Sequence, residues 1–110
     1  MKIVNEMIVD NVVISEDCIV TAMVVNDITI DNNSNVVLVG QVDGSVFVND
    51  GARAVIMGQV GKHVINKGGM VVVMSPVRGE ISGSPDSTIV TMQQDRKLPN
   101  PWVVINKKLK

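Results

Sequence analysis

Gly40-Gln41-Val42-Asp43-Gly44-Ser45-Val46-Phe47-Val48-Asn49-Asp50-Gly51-Ala52-Arg53-Ala54-Val55-Ile56-Met57 is followed without a break by Gly58-Gln59-Val60-Gly61-Lys62-His63-Val64-Ile65-Asn66-Lys67-Gly68-Gly69-Met70-Val71-Val72-Val73-Met74. Each stretch runs from Gly-Gln-Val to a Met, and the second is shorter than the first by a single position. A repeat this short cannot bury its own apolar face. It must stack on its neighbours as one rung of a solenoid.

The frame extends in both directions. Residues 75–92 form the next rung: Val77, Gly79 and Ile81 take the places of Val42, Gly44 and Val46, and Met92 falls where Met57 and Met74 fell. Upstream, residues 22–39 fit as well, with Val24 matching Val42, Ile28 matching Val46, and Asn32-Asn33 in the place of Asp50-Gly51. Aligning Gly44 with Gly61 puts the single deletion of the shorter rung at Asp43. Residues 4–21 read as a degraded first rung, since Ile19-Val20-Thr21 lines up with Val37-Leu38-Val39. Residues 93–110 do not fit: Asp95 lands on a valine column, and Pro99 and Pro101 interrupt the pattern.

Within each rung, β-branched runs such as Val71-Val72-Val73 and Thr88-Ile89-Val90-Thr91 alternate with Gly, Asn, Asp and Ser. That is the chemistry of short strands separated by corners. Asn49-Asp50-Gly51 and Asn66-Lys67-Gly68-Gly69 are expected at one corner of successive rungs, where Gly, Asn and Asp tolerate positive φ. No helical periodicity competes. With no Tyr, one Phe and one Trp, the core is expected to be narrow and filled by columns of Val, Ile and Met. A rung of this length suits three short faces. Right-handed crossovers dominate parallel β structure, so a right-handed coil is expected.

A chain of 110 residues is expected to be one domain. Its opening segment, up to Ser15, mixes Asn5, Glu6, Asp10 and Asn11 among aliphatics, unlike a signal peptide. No apolar run approaches the ~20 residues of a membrane span. The single Cys18 rules out an internal disulfide and points to a reducing, cytoplasmic setting. Residues 1–50 carry eight acids against Lys2 alone, a balance of −7, whereas residues 51–110 carry nine bases against three acids, a balance of +6. In a solenoid sequence order is spatial order, so one end is expected to be acidic and the other basic.

Candidate chemical sites are few. His63 is the only histidine, and stacking could bring Ser45 and Glu80 next to it, one rung away on either side. Catalysis would need a nucleophile hydrogen-bonded to that imidazole. The simpler role is a solvated corner. One His, one Cys and scattered carboxylates lack zinc-ligand spacing, and Gly58 to His63 lacks the Ser/Thr and the helix of a phosphate loop. Neither metal nor cofactor is expected. The basic half has no aromatic stacking platform, so nucleic acid is not an expected partner. Met57, Met74 and Met92 form a column read as core ladder or rung-edge packing. In the tail, the prolines, Trp102 and residues 103–105 suit a C-terminal cap. A contact arm is the other reading, with Trp102 as anchor and Arg96, Lys97, Lys107 and Lys108 around it as partner-binding residues.

The string from Val42-Asp43-Gly44-Ser45-Val46-Phe47-Val48 through Val55-Ile56-Met57-Gly58-Gln59-Val60-Gly61 to Gly68-Gly69 resembles the bactofilins. The family's Val-x-Gly-x-Val beat is matched at Val42-Gly44-Val46 and Val77-Gly79-Ile81. The resemblance covers residues 22–92. It implies a right-handed parallel β-helix and end-to-end assembly into cytoskeletal filaments.

The expected protein is therefore an all-β, single-domain parallel β-solenoid of five to six rungs with a C-terminal cap. Its expected role is non-enzymatic: bactofilin-like self-association through the solenoid ends, with the charge poles favouring head-to-tail stacking. The alternative is a bacterial immunity protein that blocks a single toxin partner.

Overall fold

Short runs of mostly apolar, β-branched residues supply most of the strands, and the Gly, Asn, Asp and Ser between them turn the chain. The computed structural model describes residues 1–85 and 87–91, together with the backbone of the strand at 103–106. The strands are β1 (Lys2–Val4), β2 (Val12–Ile14), β3 (Cys18–Val20), β4 (Ile28–Ile30), β5 (Asn35–Leu38), β6 (Val46–Val48), β7 (Arg53–Ile56), β8 (Val64–Asn66), β9 (Met70–Val73), β10 (Ile81–Gly83), β11 (Thr88–Thr91) and β12 (Val103–Asn106).

These strands separate into two sheets. The long sheet has the order β1-β3-β5-β7-β9-β11-β12 and the short sheet β2-β4-β6-β8-β10. Pairing is parallel throughout except at the last step, where β12 lies antiparallel to β11. The third side shrinks to one bridging residue per turn, the parallel column Ile8-Val24-Val42-Val60-Val77. This is a parallel β-solenoid.

The register gives the turn length directly. Cys18, Val36, Ala54, Val71 and Ile89 stack in one column. Their numbers advance evenly except between Ala54 and Val71, where the turn is shorter by a single position. The first turn is shorter still, since Lys2 already pairs with Cys18.

The missing residue of the short turn is not at Asp43. Val60 stacks on Val42 and Val64 on Val46, both at the full spacing, so the deletion falls later. Gly61 lies over Asp43, and Gly68 lies over Asp50. Gly69 lies over Ala52, leaving Gly51 without a counterpart. Asn66 therefore stacks on Val48 as an inward strand residue and does not match Asn49. Its buried side chain rebuilds the shortened corner. Oδ1 accepts from the Gly68 and Gly69 N–H groups at 3.2 and 2.7 Å, while Nδ2 donates to the Gly69 and Thr88 carbonyls at 2.9 and 3.0 Å. A polar group enters this core only because its amide is fully used.

One turn below, the corner keeps its full length. Asn33 and Gly51 stack there, both left-handed, with φ of 62° and 76°. The core itself is a set of columns. Val20, Leu38, Ile56 and Val73 line the long sheet, Ile28, Val46 and Val64 line the short sheet, and Ser34, Ala52, Gly69 and Ser87 fill the tight corner between them.

Candidate functional site: the open N-terminal end

A solenoid buries the face of each turn under the next, so chemistry concentrates at its polar columns and its two ends. One polar column precedes the short sheet and runs Asn11, Asp27, Ser45, His63, Glu80. The first four side chains each accept the backbone N–H of the residue one turn ahead. Asp27 donates to Asn11 Oδ1 at 3.0 Å, Ser45 to Asp27 Oδ1 at 2.8 Å, His63 to Ser45 Oγ at 3.2 Å and Glu80 to His63 Nδ1 at 2.9 Å. Four residue types thus do one job. Stacking does bring Ser45, His63 and Glu80 together, as the spacing predicts. The Ser45 hydroxyl, however, meets the His63 backbone instead of its ring, and the ring nitrogen meets the Glu80 backbone. The nucleophile-to-imidazole bond on which a catalytic reading depends is not made. Among the described residues no group of His, Cys, Asp and Glu could hold a metal ion.

The two ends differ. At the C-terminal end, β12 covers the edge of β11 in the antiparallel sense. Arg96, Lys97, Trp102, Lys107 and Lys108, expected at a partner surface there, lie outside the described residues, as does Met92.

At the N-terminal end nothing described covers the stack. β1 and β2 are the outermost strands of their sheets. Met1, Ile3, Met7, Val9 and Val13 are exposed large apolar residues, with Val13 62% exposed. The end of the core opens as a cavity of about 370 Å³ whose walls include Val4, Ile8, Val12 and Ile14. Lys2 and Glu16 form an ion pair of 3.2 Å at its rim. Cys18 sits at the base, 1% exposed. Burial pushes its thiol pKa up, and the Glu16 carboxylate adds to the rise. It is therefore a buried hydrophobe, not an activated nucleophile.

The residue types at this end do not single it out in the sequence. Met7 and Val9 flank the inward Ile8 as Met23 and Val25 flank Val24 one turn on, and polar residues take these places only with Gln41 and Asp43 around Val42. Val13 gives way to Thr29 one turn on, but Phe47 and Ile65 follow in the same column. No family model, no curated protein and no solved structure matches the chain. Among the described residues no helix is long and apolar enough to cross a membrane.

Proposed function

We propose that this protein is a non-enzymatic interaction module of bactofilin-like type that self-associates through its open N-terminal end. The observation that carries this reading is the outer edge of β1 and β2, to which no described strand pairs, with exposed Met7 nearby and exposed Val13 lining a largely apolar cavity. Unpaired strand edges beside apolar surface favour addition of another chain. The acidic first half supports a basic surface as the thing added, and the basic second half of another copy offers one.

The antiparallel β12 favours a second reading, an immunity-type protein that docks one partner. A head-to-tail stack would continue β11 with a parallel strand, and β12 occupies that place. Light scattering coupled to gel filtration, at low and high salt, tests both readings. End-on self-association predicts assemblies that Met7→Lys and Val13→Lys abolish and that salt weakens. A wild-type monomer at high concentration and low salt would refute self-association and direct the search to a different partner.

A further inference from the structure

The outward face of the long sheet is an apolar surface that the core does not use and that runs the length of the coil. Its central column is Ile3, Ile19, Val37, Val55, Val72, Val90, stacked turn on turn. A second column beside it holds Val39, Met57 and Met74, all exposed, with Met57 at 50%. On the other flank the column begins Asp17, Asn35, Arg53. The outward face of the short sheet is different. It interleaves Thr29 and Ser82 with Phe47 and Ile65, and the Lys67 ammonium lies 5.4 Å over the Phe47 ring.

We infer that the long-sheet face pairs with the same face of a second copy, in an antiparallel, two-fold lateral dimer independent of the end-on contact. Charge selects the occupant. The first half of the chain carries −7 and the second +6, so reversing one copy sets each acidic half against a basic half. The bias holds within the coil itself, where Arg53, Lys62, Lys67 and Arg78 outnumber Glu80 over residues 51–85. A parallel arrangement would set like against like. An anionic membrane would be repelled by the acidic half, so the flat apolar face does not suit lipid.

The register follows from the two-fold. With the axis along the strands and through Val37, Val37 faces its own copy, Ile19 faces Val55, and Ile3 faces Val72. Asp17 and Arg53, one turn to either side of Asn35, then face one another twice across the interface. The size is modest. Five turns spaced ~4.8 Å apart give roughly 500 Å² per copy once side-chain relief is included, and about 1,000 Å² for the pair. That lies at the low end of specific interfaces, so a dimer that forms and dissociates readily is expected.

Single-cysteine crosslinking on the full chain tests this, because Cys18 is buried and does not compete. Sheets packed ~10 Å apart put two Val37→Cys thiols within reach of a short bismaleimide. Val37→Cys should crosslink to a dimer, and Thr29→Cys on the short-sheet face should not. In sedimentation equilibrium, Val55→Lys and Arg53→Glu should each weaken the dimer at least about tenfold, with circular dichroism confirming the fold. Val13→Lys, which targets the end, should leave it intact. Three results would overturn the inference: no Val37→Cys crosslink, dimers that survive Val55→Lys but not Val13→Lys, or flotation on anionic vesicles without dimers.

Discussion

The Nδ1 atom of His63 accepts the backbone N–H of Glu80 at 2.9 Å, one full turn ahead in the coil. The same place in the three preceding turns is filled by Ser45, Asp27 and Asn11, each accepting the next turn's N–H. The role of the only histidine is thus set by its position in a ladder. Its acceptor nitrogen is what the fold uses.

Exchange of acceptors along that ladder should therefore be tolerated, and removal should not. His63→Asn keeps a side-chain acceptor and should leave stability within about 0.5 kcal/mol. His63→Leu strands the Glu80 N–H and should cost about 1 kcal/mol. Chemical denaturation of both variants measures the difference.

Asn66 should be the most sensitive polar residue in the core. Asn66→Ala leaves the buried N–H of Gly69 and the half-buried N–H of Gly68 without their acceptor and should cost about 3 kcal/mol. The melting temperature would fall on the order of 10 °C. Asn66→Val alone should be equally harmful, because the corner still lacks a residue. Inserting a glycine between Gly68 and Gly69 in the Asn66→Val background should recover most of the loss, as measured by thermal melts.

The left-handed corner separates Gly51 from Gly58. Gly51 has φ 76° and stacks on Asn33 at φ 62°. Gly51→Asn should therefore cost less than about 1 kcal/mol and Gly51→Val about 2 kcal/mol or more. Gly58 is constrained by space instead. A Cβ there would collide with the Gly40 carbonyl oxygen, so even Gly58→Ala should disrupt the turn. The fraction of soluble, folded protein for each variant distinguishes the two causes.

Cys18 has a pKa raised in the folded protein, chiefly by burial. The unfolded chain ionises this thiol first as pH rises. The stability linked to its neutral form is therefore complete below the unfolded value of about 8.5 and is lost as pH climbs through the raised folded value. Alkylation by iodoacetamide at neutral pH should be slow and should accelerate only with denaturant. Cys18→Ala should remove the alkaline part of the pH dependence.

The solenoid is legible because its repeat is written in residue types. Val24, Val42, Val60 and Val77 are the same residue at the same corner, and Asn32-Asn33 against Asp50-Gly51 correctly locates a left-handed turn. The place of the deletion is not legible, because Gly44 and Gly61 look equivalent and yet occupy adjacent columns. The strand register places the shortened corner between Asn66 and Met70, and the hydrogen bonds of Asn66 show how it is closed. The open end is harder to read. Outward Ile3 in β1 and Val13 in β2 look like residues of any strand until the pairing order shows that no described strand lies beyond them. Met57 and Met74 belong to the rung edge and not the core, which composition cannot decide, since a flexible thioether suits either place.

Every strand from β3 to β11 finds a parallel partner one turn earlier in the chain. Length is therefore countable in whole turns. Excising residues 36–53 would join Asn35 to Ala54 and leave each remaining column in step, shortening the molecule by one turn without changing either end. A graded family of such chains would serve as a ruler, in which surface area along the side varies while the terminal surfaces stay constant.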